Sequence, residues 1–125
     1  MAFQYAVLRA VPRIDRGEFV NIGVIVYCQQ ADFLSCAVTV DAERLRALDP
    51  AVDLEAVRTA ADAVVTGTAV EGGSARQNDG LATRFGMLTA PRSTVVQPSP
   101  IHAGVTTDPE RTLADLVGRL VEPVP

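Results

Sequence analysis

Residues 16–23 read Arg-Gly-Glu-Phe-Val-Asn-Ile-Gly, and the apolar run Val-Ile-Val-Tyr-Cys follows directly at 24–28. Upstream, Pro12 lacks a backbone donor and Gly17 tolerates a positive φ, so the segment 12–17 is predicted to connect two strands. The first strand covers 3–11 and alternates, whereas the second covers 18–28 and is apolar on both faces, as in a central strand that is covered on both sides. The sequence therefore predicts a fold organised around an N-terminal β-hairpin.

The rest of the chain predicts further strands and helices around this hairpin. A third alternating strand at 33–40 completes an antiparallel meander, and a fourth strand is expected at 93–97. Helical spacing predicts helices at 41–48 and 53–66, a short one at 81–88 and a last one that begins at Thr107 or Asp108. Residues 67–80 contain four glycines and no periodicity, which predicts a flexible loop. We expect one α+β domain over 1–125, with an antiparallel sheet of about four strands and about three helices packed on it.

Composition limits the classes of function. The chain has 125 residues, is 48% hydrophobic and carries a net charge of -4, which suits a compact domain and makes nucleic-acid binding an unfavoured expectation. The longest apolar stretch, 22–28, is too short to cross a bilayer, so we expect a cytoplasmic protein without membrane attachment. Cys28 and Cys36 are predicted to be buried on neighbouring strands, out of register for a disulfide. Because two Cys and one His are too few for a structural zinc site, no metal or other cofactor is expected.

A polar cluster interrupts the apolar hairpin. Arg9 shares a strand face with Phe3, Tyr5, Val7 and Val11, and a guanidinium there needs solvent or a partner. Glu18 and Asn21 are candidate partners. One register places Arg9 opposite Asn21, and a slip by one residue places it opposite Val20. Two interpretations stay open: a structural network that fixes the sheet, and a cluster that binds an anion or a carboxylate.

Gly23 lies in the middle of the second strand, where glycine weakens a strand. A glycine there indicates a bulge or the close approach of another backbone. We expect a helix packed on the sheet at this point.

A second polar cluster follows in the C-terminal third of the chain. It consists of Arg84, Arg92, Ser93 and His102, with Thr94 and Ser99 between them. Arginine and hydroxyl groups can bind a phosphate or carboxylate, and a histidine can act as an acid or base near neutral pH. Signatures of known catalytic sites are absent: there is no phosphate-binding loop, no nucleophile elbow and no zinc-binding His-Glu-x-x-His pair. No residue is therefore assigned a catalytic role.

The hairpin also carries a family resemblance. The residues Arg9-x-x-Pro12 and then Arg16-Gly17-Glu18-Phe19-x-Asn21-x-Gly23-Val24 resemble the opening signature of a bacterial family, domain-of-unknown-function family 3037. The later stretch from Arg84-Phe85 through Ala90-Pro91-Arg92-Ser93-Thr94 to His102-x-Gly104 resembles the actinobacterial members. The resemblance implies an accessory or regulatory protein, because members are often encoded beside kinases resembling the HipA toxin kinases.

Together these observations lead to a functional expectation with one alternative. We expect a non-enzymatic interaction module, with a HipA-like kinase as a candidate protein partner and a homodimer formed through an exposed sheet edge as a second candidate assembly. The alternative is a small-ligand or phosphate-binding protein with weak hydrolase or transferase activity. Its candidate binding residues are Arg9, Arg16, Glu18 and Asn21 of the hairpin and Arg84, Arg92, Ser93 and His102 of the second cluster. That alternative requires the two clusters to converge in one pocket.

Overall fold

A computed structural model describes residues 1–69 and 77–124. In chain order, its elements are β1 (Ala2–Ala10), β2 (Val20–Cys28), β3 (Phe33–Val38), α1 (Ala42–Leu48), α2 (Leu54–Thr68), α3 (Gln77–Leu88), β4 (Val96–Pro98), β5 (His102–Val105) and α4 (Pro109–Leu120). The described strands form one antiparallel sheet in the order β3-β2-β1-β4, and β5 also pairs with β1. The predicted α+β class and the N-terminal meander are confirmed.

Two short strands lie end to end along the edge of β1 that is opposite β2. β4 pairs with residues 8–10 of β1, and β5 pairs with residues 2–5. The fifth strand was not expected, since the sequence predicts only the fourth, at 93–97. Its four residues, His-Ala-Gly-Val, are too few to show an alternation, and Pro98 and Pro100 precede them.

A bulge in β2 changes which of its side chains share a face. Arg9 pairs with Asn21, whereas Leu8 pairs with Gly23, so Ile22 has no partner on β1. Val20 and Ile22 consequently lie on one face of the sheet, and Val24 and the residues after it change sides relative to a simple alternation. A strict alternation of faces along 18–28 therefore does not hold at Ile22, which lies on the face opposite Val24.

The close approach of β3 explains Gly23. A Cβ atom at this position would lie 2.6 Å from the carbonyl oxygen of Ala37 and 2.9 Å from Cγ2 of Val38. Both atoms belong to β3, so the close approach comes from the neighbouring strand and not from the helix that the sequence suggested.

Two apolar clusters lie on opposite faces of the sheet. On the first face, β1, β2 and β3 pack against α1, α2 and α3, with Ile25, Leu45 and Val57 almost fully buried. On the second face, Val24, Val26 and Cys28 pack against Leu113 and Leu116 of α4. Because α4 packs mainly on β2 and β3, Tyr5 on β1 stays half-exposed and His102 on β5 is exposed.

Three of the described helices, α1, α2 and α4, begin at aspartate caps. Asp41, Asp53 and Asp108 accept hydrogen bonds from the backbone N–H groups of Arg44, Ala56 and Arg111. Helix α2 continues to Thr68 and α3 begins at Gln77, so the segment predicted as a flexible loop at 67–80 is helical at both ends. Its middle lies outside the described residues. Among the helices of the described ranges, none is long and apolar enough to cross a membrane.

Candidate functional site

Arg9 and Asn21 are cross-strand partners on the second face, as one of the two registers predicted. Nδ2 of Asn21 donates to the carbonyl oxygen of Leu120 at 3.0 Å, which ties the C-terminal end of α4 to the sheet. Oδ1 of Asn21 and Nε of Arg9 are both buried and have no hydrogen-bond partner in the described structure. The two residues are thus aligned but not hydrogen-bonded to each other.

The guanidinium of Arg9 lies over an aromatic ring. Its Cζ atom is 4.3 Å from the centre of the Phe19 ring, which is the geometry of a cation–π interaction. The Phe19 side chain is 45% exposed. Phe19 therefore takes the place of the carboxylate that the sequence suggested as a partner for Arg9.

Glu18, the expected carboxylate, pairs with Arg16 in the connection between β1 and β2. Nε of Arg16 donates to Oε1 of Glu18, and both side chains are exposed. This hydrogen bond lowers the pKa of Glu18 and raises the pKa of Arg16 from their ordinary values. An exposed ion pair of this kind contributes little to stability, and it leaves Glu18 engaged away from Arg9.

A row of aromatic rings continues the same face toward β5. The ring of Tyr5 stacks on Phe3 with 6.0 Å between centres and on His102 with 5.1 Å between centres. Gly104 makes room for this row, because a Cβ atom there would lie 2.7 Å from the Phe3 ring. We call the residues Tyr5, Arg9, Phe19 and His102 the open face. The sequence does not single out Tyr5 or Phe19 as site residues, although the alternation of 3–11 places Tyr5 on the same face as Arg9.

Two residues of the second polar cluster, Arg84 and Arg92, have structural contacts on the first face. Nη1 of Arg84 donates to the carbonyl oxygen of Ala69, which caps α2, and Nη2 of Arg92 donates to the carbonyl oxygen of Met87 in the last turn of α3. Guanidinium groups at these positions satisfy helix carbonyls that have no partner within the helix. Ser93 is exposed in the segment before β4.

Arg92 also lines a shallow groove of about 260 Å³ with Ala60, Val64 and Val96, between α2 and β4. This groove lies on the first face, whereas Arg9, Asn21 and His102 lie on the second. The sheet separates Arg84 and Arg92 from the hairpin cluster, and His102 is the member of the second cluster that shares a face with Arg9, so the two clusters do not form the common pocket that a joint ligand site requires.

Ser99 has a role that the sequence did not reveal. Its hydroxyl accepts a hydrogen bond from the backbone N–H of Val7 at 2.8 Å and donates one to the carbonyl oxygen of Pro100 at 2.8 Å. The Ser99 side chain thereby continues the hydrogen bonds along β1 across the interval between β4 and β5. The position of this serine between Pro98 and Pro100 is the feature of the sequence that could have indicated such a role.

The cysteines are poor nucleophiles. Both are free thiols, and they belong to opposite apolar clusters. Burial raises the pKa of the Cys36 thiol to about 12, so it stays protonated at neutral pH. The Cys28 thiol is buried and donates to the carbonyl oxygen of Ala2. Among the described residues, no group of three or more His, Cys, Asp or Glu side chains is arranged to hold a metal ion.

The profile of a family described as "Protein of unknown function (DUF3037)" matches residues 5–121. The chain belongs to this family. The region shared with DUF3037 runs from Tyr5 on β1 to the residue after α4, so it includes the described sheet except the first three residues of β1, and it includes the open face. No curated protein and no solved structure matches the chain.

Proposed function

We propose that this DUF3037 protein is a non-enzymatic interaction module that binds a protein partner through the open face. One observation carries the proposal. On the side of the sheet where α4 packs on β2 and β3, the aromatic and cationic side chains beyond the helix remain accessible to solvent. Exposed aromatic side chains beside an arginine have the composition of the energetically dominant part of protein interfaces.

The charge of Arg9 supports a partner of complementary chemistry. Within the described residues, the ion pairs are Arg13–Asp15 and Arg16–Glu18, and neither neutralises Arg9. A guanidinium stacked on a ring retains its capacity to donate in the plane of the group. A partner that presents a carboxylate or a backbone carbonyl beside an apolar side chain would satisfy both Arg9 and Phe19.

The family resemblance supports a kinase as the partner. Because members are often encoded beside kinases resembling the HipA toxin kinases, we propose that the partner is a kinase of this type in the cytoplasm of a bacterium of actinobacterial type. In this proposal the chain acts as an accessory or regulatory subunit.

The alternative, a small-ligand or phosphate-binding protein, loses its main support. It required the hairpin cluster and the second cluster to share one pocket, whereas the sheet lies between the hairpin cluster and Arg92. Arg84 and Arg92 instead donate to helix carbonyls.

The decisive experiment measures binding of the chain to a HipA-like kinase encoded beside it in its own genome, by calorimetry with both purified proteins. Phe19→Ala removes an exposed aromatic anchor from the open face, and we expect it to weaken binding by about 2 kcal/mol, as truncation of a central interface aromatic does. Met87→Ala is the matched control, because Met87 is 68% exposed and lies on α3, on the opposite side of the sheet. We expect the Met87→Ala variant to bind like the unchanged protein.

Two results would count against the proposal, each in a different way. Absence of binding to the neighbouring kinase rejects that partner. Binding that falls equally in the Phe19→Ala and Met87→Ala variants, or only in the latter, rejects the open face as the interaction surface.

A further inference from the structure

The backbone of β5 has hydrogen-bonding groups that its own sheet does not use. The N-terminal amino group of Met1 donates to the carbonyl oxygen of Thr106 at 2.7 Å, and the N–H of Thr106 donates to the carbonyl oxygen of Met1 at 2.8 Å. Residues of an antiparallel pair alternate between such hydrogen-bonded positions and positions that point away. With Phe3 opposite Gly104 and Tyr5 opposite His102, the groups of Ala103 and Val105 point away from β1.

This side of β5 also lacks charged side chains and proline, two of the features that protect a sheet edge. In the described structure no strand pairs with β5 other than β1, and the Val105 side chain is 82% exposed. Natural sheet edges carry charged residues or proline where another strand could pair. Residues 101–105, Ile-His-Ala-Gly-Val, contain no proline and no Asp, Glu, Lys or Arg.

The other edges of the sheet differ from β5. Pro98 on β4 lies opposite Leu8, and Pro100 follows it, so the β4 part of the edge lacks donors at these residues. On the far side of the sheet, β3 has α2 on one face and α4 on the other. A second sheet can therefore approach β5 with less steric hindrance than β3.

We infer that β5 pairs with the β5 strand of a second copy of this chain, antiparallel, around a two-fold axis at Gly104. In this register Ala103 of each copy lies opposite Val105 of the other, and their outward N–H and carbonyl groups bond in both directions. Gly104 faces Gly104, and Ala103 contacts Val105 across the axis on the first face. The pairing makes one continuous sheet from two copies.

The charge distribution favours a second copy as the occupant. The pairing segment has no permanently charged side chain, so no like charges face each other at the axis. The net charge of -4 on each copy opposes association only from a distance, and salt screens such repulsion. Dimerisation is therefore expected to strengthen as the ionic strength rises, whereas association with an oppositely charged partner would weaken.

The test combines the mass in solution with backbone amide exchange. Sedimentation equilibrium is expected to give twice the chain mass of 13.2 kDa at high protein concentration, with more dimer in added salt. Amide exchange followed by nuclear magnetic resonance should show protection of Ala103 and Val105 that rises with protein concentration. Gly104 and His102 should be protected at every concentration, because their groups bond to β1.

A proline at the edge tests the register. Ala103→Pro removes an outward donor that the sheet of the single copy does not use, so the chain should fold and remain a monomer. Ala103→Ser keeps the backbone N–H and is the matched control that should still dimerise. Far-UV circular dichroism checks folding, and the amide-exchange measurement on the unchanged chain stays decisive even where the proline variant does not fold.

A chain that remains a monomer in salt at the highest concentration, with unprotected Ala103 and Val105 amides, overturns the inference. A dimer that persists unchanged in a folded Ala103→Pro variant overturns it as well. The inference does not depend on the proposed kinase partner, because neither measurement contains the kinase and no open-face residue is altered.

Discussion

The two halves of the sheet differ in how much of their surface the helices cover. β2 and β3 have helices on both faces, and every residue of β2 except Asn21 is buried. In the described structure, part of the surface formed by β1, β4 and β5 is not covered by a helix. Tyr5, Phe19 and His102 stay accessible there, and the backbone of β5 has donors and acceptors that its own sheet does not use. The comparison teaches that the apolar strand 20–28 supplies stability, whereas β1 and its C-terminal partners leave aromatic and polar groups accessible to solvent.

The largest expected effect comes from matched isoleucine substitutions in the two halves. Ile25 on β2 is fully buried, whereas Ile101 before β5 is 47% exposed. Ile25→Ala should lower the free energy of unfolding by about 3 kcal/mol, because it removes buried apolar volume and leaves a cavity. Ile101→Ala should lower it by less than about 1 kcal/mol. Urea denaturation of both variants measures the difference, and equal losses would contradict the division of the sheet.

A second pair of variants tests the close approach of β2 and β3. Gly23→Ala forces a Cβ atom to within 2.6 Å of the Ala37 carbonyl oxygen, so a strand must move. We expect a loss of about 2 kcal/mol, as for other changes that overpack a core. Gly86→Ala is the control, since a Cβ atom there meets nothing within 4 Å, and it should stabilise α3 by about 0.5–1 kcal/mol. Thermal unfolding of both variants decides, and a neutral Gly23→Ala would refute the steric explanation.

The Cys36 thiol makes the covered half sensitive to alkaline pH. Its pKa is raised from 9.0 to about 12 by burial, so the folded chain retains a proton that the unfolded chain loses in this interval. The unfolded state then binds fewer protons, and stability should fall as the pH rises above 9.0. Comparing the unchanged chain with Cys36→Ala isolates this contribution. The variant should lose less stability between neutral and alkaline pH, and parallel pH profiles would show that Cys36 is not buried.

The smallest expected effects concern the contacts of Arg9. A double-mutant cycle should give a coupling energy of about 0.5–1 kcal/mol between Arg9 and Phe19, as expected for a cation–π pair at a partly exposed site. The cycle between Arg9 and Asn21 should give a smaller coupling energy, since these side chains are not hydrogen-bonded to each other. A larger coupling for Arg9 with Asn21 would reverse the assignment and restore the structural network that the sequence suggested.

The sequence predicts the meander and the helices well, for physical reasons. Alternating and continuous apolar runs identify β1, β2 and β3, and aspartates at 41, 53 and 108 identify helix starts. The bulge at Ile22 and the strand β5 are not predictable in this way. A bulge depends on the pairing of two strands, and β5 exists only because residues 2–5 of β1 are available to pair with it.

The candidate site was predicted less completely. The register that places Arg9 opposite Asn21 was one of two alternatives, and the structure has this one. The separation of Arg84 and Arg92 from the hairpin could not be predicted, because the face on which α3 packs is a matter of tertiary structure. The contact of Arg9 with Phe19 likewise depends on how the connection 11–19 returns to the sheet.

The most direct test of the open face is hydrogen–deuterium exchange of the chain with and without the neighbouring HipA-like kinase, read for each segment. We predict that binding slows exchange in β1 and in the connection that contains Phe19, while exchange in α2 and α3 remains unchanged. Slowed exchange confined to α2 and α3, with no change in β1, would contradict the assignment of the open face as the interaction surface.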